Sequence, residues 1–203
     1  MIKFAAISPH APILLPNTGS PADHLKLKKT LTALKELATE FEKARVDEII
    51  ISSPHEDWGF DVPLSLIAPN FKGKIQYFLT GFESPKQHFE NGKKFAKKLD
   101  NSKRYALIAS GDLSHCLKKD GPYGFHPDGP KFDKELIQIF RTENLYNIFN
   151  LEDKYPEAGN CGLRSFAFAL GILTGANQKP KPQILSYEGP FGVGYLVAKL
   201  LGD

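Results

Sequence analysis

The sequence predicts an α/β protein, a mixed and largely parallel β-sheet with helices on both faces, and two observations carry that reading. Short apolar runs alternate with longer stretches of helical periodicity along the whole chain, as strands joined by crossover helices do. The 203 residues, 41% apolar and 24% charged, suit one sizeable globular unit. No Pro/Gly/Ser-rich linker or low-complexity tract divides them, so residues 1–203 are expected to form a single domain.

Phe4 to Ile7 is a buried strand. From Ala22 to Val46, the residues Leu27, Leu31, Leu34, Ala38 and Phe41 recur at spacings of three and four, one amphipathic helix with a lysine-rich outer face. Ile49 to Ile51 is a second buried strand, stopped by Ser53-Pro54. Leu64 to Ala68 and Ile75 to Leu79 are expected as further strands, punctuated by Pro69-Asn70 and Gly73. Ser84 to Leu99 is a helix, with Pro85 in its first turn and Phe89, Phe95 and Leu99 turned inward. Tyr105 to Ala109 is a strand ending in Ser110-Gly111. Helices are expected over Lys131 to Arg141, Leu145 to Asn150 and Gly162 to Leu173, the last apolar nearly all round and therefore buried. Ile184 to Tyr187 and Val193 to Ala198 close the pattern as strands around the turn Glu188 to Gly192.

Several function classes drop out. Net charge is only +3, and Lys and Arg interleave with Glu and Asp, which is a solvated surface and no nucleic-acid footprint. No stretch approaches the ~18 apolar residues of a membrane span, and the opening run Met1 to Ile7 is too short for a signal peptide. The two cysteines, Cys116 and Cys161, form no disulfide framework, so a reduced, cytoplasmic setting is expected.

Three apolar strands each run out into a histidine: Ile7-Ser8-Pro9-His10, Ile51-Ser52-Ser53-Pro54-His55, and Ala109-Ser110-Gly111-Asp112-Leu113-Ser114-His115. If the strands are parallel, all three imidazoles lie beyond their carboxyl ends, where open α/β sheets bind ligands. Neutral imidazole is the commonest metal-binding side chain, and a proline before His10 and His55 stiffens the backbone presenting each. A third, anionic ligand has four candidates: Asp112, Glu157, Cys161 and Glu188. Asp112, three residues before His115, is placed to orient it or take its proton. Cys161 sits at the start of a helix, where a thiolate is favoured. His126, on a Gly/Pro-rich loop, is a candidate for the pocket lining. His24 and His88 stand in lysine-rich helical contexts and are expected to be solvated.

Ser8-Pro9-His10, Ser53-Pro54-His55, Gly111-Asp112-Leu113-Ser114-His115, Glu157 to Gly162 and Ser186 to Gly192, in this order, resemble the class III extradiol dioxygenase B-subunit (LigB-like) superfamily. The resemblance covers nearly the whole chain. Its Asp-Leu-x-His and Asn-x-Cys-Gly elements look closest to the Memo-like branch, whose members often accompany radical-SAM proteins. The resemblance implies a LigB-like fold and an Fe(II) site, with Zn or Cu as alternatives. His10 and His55 are then metal ligands and His115 an acid/base residue with a pKa near neutrality. Cys161 stands where the ring-cleaving enzymes carry their glutamate ligand, as in Memo-like proteins, with Glu157 and Glu188 further out. The implied partners are a small aromatic diol and O₂, with a homo-oligomer or radical-SAM companion proteins left open. The alternative is a Memo-like iron or copper protein of redox or interaction function that cleaves no catechol.

Overall fold

Strands that run parallel cannot be joined by a hairpin, so each β-run of this chain that leads to a parallel strand must be followed by a crossover segment. The structure, a computed structural model, describes residues 1–202 and meets that requirement. In chain order the elements are β1 (Ile2–Ser8), α1 (Pro21–Lys26), α2 (Lys28–Ala44), β2 (Glu48–Ser53), α3 (Trp58–Ile67), β3 (Lys74–Leu79), α4 (Pro85–Ala96) and β4 (Tyr105–Ser110). Then come α5 (Asp128–Arg141), α6 (Leu151–Lys154), α7 (Leu163–Gly175), β5 (Gln183–Glu188) and β6 (Tyr195–Lys199). One six-stranded sheet has the order β3-β2-β4-β1-β6-β5. The first four of these are mutually parallel, while β6 runs antiparallel to β1 and β5 antiparallel to β6.

Burial follows from the pleat. Strands β2 and β4 are buried at every residue, and β1 at all but Lys3, which is why they read as unbroken apolar runs. Alternate residues serve opposite faces. Ala5, Ile7, Ile50 and Leu107 pack with Phe89, Phe132, Phe166 and Phe168 of α4, α5 and α7. Phe4, Ala6, Ile49, Ile51 and Ile108 pack with Leu34, Phe41, Phe60 and Ile67 of α2 and α3. The mixed α/β architecture with helices on both faces is thus the one expected. Among the described residues no helix is long and apolar enough to cross a membrane.

Four local expectations need correction. The segment 64–68 belongs to α3, because the parallel pair β2 and β3 requires a crossover helix there. The segment 145–150 forms a 3₁₀ helix. The expected single helix from Ala22 is broken at Leu27 into α1 and α2. His88 is not solvated: it is 2% exposed, on the inner face of α4 beside Phe89 and Gly92. Helix α4 lies close to α7 because glycines face each other's backbone. A Cβ on Gly92 would come within 2.2 Å of the Phe168 carbonyl oxygen, and one on Gly171 within 2.0 Å of that of Phe89.

Candidate metal centre

The carboxyl ends of β1, β2 and β4 lie side by side, since β4 sits between the other two and Ser8 is in register with Ser110. Each strand is followed by a turn that lifts one histidine over the edge of the sheet. After β2, the Ser53 hydroxyl donates to the His55 carbonyl at 2.8 Å and accepts the His55 amide at 3.1 Å, closing the Ser-Pro-His turn on itself. After β4, the His115 amide donates to the carbonyl of Ala158 at 3.2 Å, and the Ser114 amide to the buried carboxylate of Asp133 at 2.8 Å.

Cys161 reaches the same edge through a backbone clasp. The amides of Cys161 and Gly162 both donate to the Asp112 carbonyl, at 3.4 and 2.9 Å, while the Asp112 amide donates to Cys161 Sγ at 3.3 Å. The clasp needs two glycines: a Cβ on Gly111 would lie 2.2 Å from the Cα of Gly162. Ligand atoms of His10, His55 and Cys161 consequently all fall within 4.8 Å of one another. Those of Asp112, His115 and Cys161 do the same, so Cys161 is common to two groups.

The donor chemistry fits a cation. The Ser110 hydroxyl spends its one proton on the Gly59 carbonyl, so toward His10 Nδ1, 3.0 Å away, it can only accept. His10 therefore carries its proton on Nδ1, and the Nε2 lone pair faces Cys161 Sγ at 3.4 Å. A tetrahedral metal with bonds of roughly 2.1 Å to nitrogen and 2.3 Å to sulfur asks for donor separations of roughly 3.5 Å. Burial, with His55 and His115 as neighbours, holds the His10 pKa down at about 3. His55 is also lowered by burial. Both imidazoles are thus neutral, the form a metal requires. His115 Nε2 is buried with no hydrogen-bond partner, an orphan that calls for a ligand.

Two electrostatic expectations are overturned. Burial, and the Asp112 carboxyl beside it, push the Cys161 thiol well above its ordinary range, so the start of α7 does not by itself favour a thiolate. A bound cation is what would ionise it. His115 is lowered to about 4 by burial and by His55, far from the expected neutrality, and rests as a neutral base.

The remaining candidates separate. Asp112 is buried, its carboxyl raised to about 7 by desolvation, and the hydrogen bond its carboxyl makes runs to His10. Oδ1 accepts the His10 amide at 3.1 Å and Oδ2 lies 3.8 Å from His10 Nε2. Among the described residues no hydrogen bond joins it to His115, the residue it was expected to orient. Glu157 is exposed and belongs to neither group; its charge acts on Cys116. Glu188 is engaged elsewhere, accepting the amide and hydroxyl of Thr30 at 2.7 Å each, which ties β5 to α2. His126 is half-exposed and accepts the Asp128 amide at 3.2 Å.

Sequence reading missed three neighbours. Ser110, at the end of β4, fixes the His10 tautomer. Trp58 lies tilted over His55 with ring centroids 5.3 Å apart, and Tyr123 over His115 at 4.9 Å. Trp58 follows Asp57, a non-glycine residue held at φ 48°, a strained conformation of the kind found where side chains are aimed at a site. Exposed aromatics after a turn were the available signal.

Residues 56–198 match the family model of the catalytic LigB subunit of aromatic ring-opening dioxygenase. That span takes in Asp112, His115 and Cys161 and begins immediately after His55. Protein CA_C1420 of Clostridium acetobutylicum is 44% identical over 147 residues, 71% of this chain, and the chain spans only 31% of that protein's length. The crystal structure of an uncharacterized protein, JW3007 of Escherichia coli K12, has the same fold. Its TM-score is 0.64 at 17% identity, over 98% of this chain and 99% of that one.

Proposed function

The chain belongs to the family of the catalytic LigB subunit of aromatic ring-opening dioxygenase, and on that premise we propose that it is a non-haem Fe(II) protein that opens catechol-type rings. The observation that carries the reading is the convergence of His10, His55 and Cys161, with the orphaned Nε2 of His115 beside them. In this reading His10, His55 and Cys161 hold the metal. A cation bound there would lower the pKa of a diol hydroxyl and gather diol and O₂ at its open positions. Ser110 keeps the lone pair of His10 directed at the metal. His115, neutral at rest, takes the hydroxyl proton and can return it later as an acid. The rings of Trp58 and Tyr123, tilted against His55 and His115, offer flat apolar surface for a planar substrate beside those two imidazoles.

The thiol of Cys161 favours a second reading, a Memo-like iron or copper protein of redox or interaction function. A thiolate is a softer ligand than a carboxylate and changes metal preference. Oxygen uptake with a panel of catechols, on protein purified and loaded without oxygen, separates the two. Ring opening predicts uptake that His115→Ala reduces by about 10²–10⁴-fold while metal content is kept. His10→Ala and His55→Ala should lose the metal itself. Metal retention without uptake on any catechol would leave the second reading; equal metal loss in all three variants would make His115 a ligand.

A further inference from the structure

The six-stranded sheet has two edges, and they are finished differently. At one, β5 carries a register shift between Ile184 and Ser186, and its far end is tied down. Glu188 binds Thr30 of α2 there, and the Tyr187 hydroxyl donates to Asp133 of α5. At the other edge, β3 pairs with β2 in unbroken register over all of Lys74–Leu79. Among the described residues its outer side meets no further strand. Natural edges are blunted by bulges, prolines or lysines. Strand β3 has neither bulge nor proline, and its one charge, Lys74, sits at the extreme end, 4.0 Å from Glu48. The Thr80 amide donates inward to the Ser53 carbonyl at 2.8 Å. Successive residues of a strand turn their backbone groups to alternate sides, so those of Ile75, Tyr77 and Leu79 face outward. They have no partner there among the described residues. Tyr77 is 58% exposed and Leu79 47%, and Phe82, just beyond the strand, is 97% exposed.

We propose that β3 pairs antiparallel with β3 of a second copy of this chain, joining two sheets into one across a twofold axis at Tyr77. The strand is complementary to itself in that register. Tyr77 lies opposite Tyr77 of the partner subunit, and Ile75 opposite Leu79 of the partner subunit. All are on the face that carries α3, where Ile75 packs at the margin of the core and Tyr77 meets Phe60 edge-on at 5.1 Å. Each outward backbone group finds its counterpart, and aromatic and β-branched cross-strand pairs stabilise a sheet. The two copies of Lys74 fall at opposite ends, so no like charges are opposed. Aromatic side chains bury about 150–250 Å² each, so at their exposures Tyr77 and Phe82 alone remove roughly 200–400 Å² per copy. A specific interface needs about 500 Å² per copy, and Leu79 with the backbone edge supplies the rest. Leu79 and Phe82 also line the cleft that reaches His55 and Cys161, so a partner seated on β3 borders the candidate metal centre. Dimerisation of this kind requires neither a metal nor ring opening.

Sedimentation equilibrium over a dilution series of the full chain tests the interface, and cysteine cross-linking tests its register. The parent should be a dimer at micromolar concentration. Tyr77→Lys, which sets two cations face to face across the axis, should weaken the dimer about tenfold or more with the circular-dichroism spectrum unchanged. Leu79→Lys should weaken it too, and decides if Tyr77→Lys does not fold. Tyr77→Cys should form an intermolecular disulfide under mild oxidation, since opposed, hydrogen-bonded residues have Cα atoms about 5.5 Å apart. Lys74→Cys should not, because its copy lies roughly 20 Å away along the strand. The parent, whose Cys116 and Cys161 are free, gives the background. A parent that is monomeric at the top of the series overturns the proposal, even if β3 accepts a strand from another protein. So does a dimer that both lysine substitutions leave intact, or cross-linking that is equal at positions 74 and 77.

Discussion

Asp133 gives a stability test whose sign the structure fixes. It is 1% exposed at the inner face of α5, accepting the Ser114 amide at 2.8 Å through Oδ1 and the Tyr187 hydroxyl at 2.6 Å through Oδ2. Desolvation outweighs these bonds and raises its pKa from 3.8 to about 7. The folded chain therefore keeps a proton that the unfolded chain has already lost between pH about 4 and 7. Stability from this group is fully present below about pH 4, falls through that window, and levels off above pH 7. A shift of roughly three pKa units corresponds to about 4 kcal/mol. Asp133→Asn imitates the protonated form: its oxygen still accepts from Ser114 and its NH₂ faces the Tyr187 oxygen. Urea unfolding of both proteins near pH 4 and near pH 8 reads the effect. The variant should gain up to about 4 kcal/mol over the parent between the two pH values. Asp112, which is raised in the same direction, is present in both proteins and cancels in the difference. A difference that stays constant with pH would refute the argument that Asp133 holds its proton in the fold.

Three further outcomes are expected. Ser110→Ala frees the Nδ1 proton of His10, and metal affinity measured by competition with a chelator should fall about 10–100-fold with the fold intact. Gly111→Ala forces a methyl against the backbone of Gly162, costing about 1–3 kcal/mol or more in thermal or urea unfolding and moving Cys161 out of reach of His10. Trp58 is the chain's one tryptophan and lies against His55, so Cu(II) titration should quench its fluorescence. Undiminished quenching in His55→Ala would place the copper elsewhere.

The parts of the site that lie on strand ends were legible, because β1, β2 and β4 are buried on both faces and each unbroken apolar run points straight at its histidine. Cys161 was legible only together with its motif, since the glycine clasp that seats it joins residues some fifty positions apart. Helix α3 was not legible from periodicity, because Trp58 to Ile67 is apolar nearly throughout and Pro63 lies inside it, leaving a fragment that imitates a strand. The topology could have found it: the crossover between two parallel neighbours is usually a helix. His88 was misread because its inward neighbours at helical spacing are Pro85, Gly92 and Ala96, small residues that do not register as an apolar face. The role of Ser110 depends on a partner on another element, Gly59, which no local pattern connects to it.

The place of β4 between β1 and β2 has a consequence for biosynthesis. The two strands that carry His10 and His55 are never direct neighbours; they are joined only through a strand whose residues begin at Tyr105. A ribosome adding about 5–20 residues per second leaves roughly 3–11 s between completing β2 and completing β4. Throughout that interval the facing edges of two very apolar strands have no partner, and such edges invite pairing with other chains. If His10 and His55 hold a metal as proposed, its capture by both would be a late event, timed by the arrival of the strand that fills the gap.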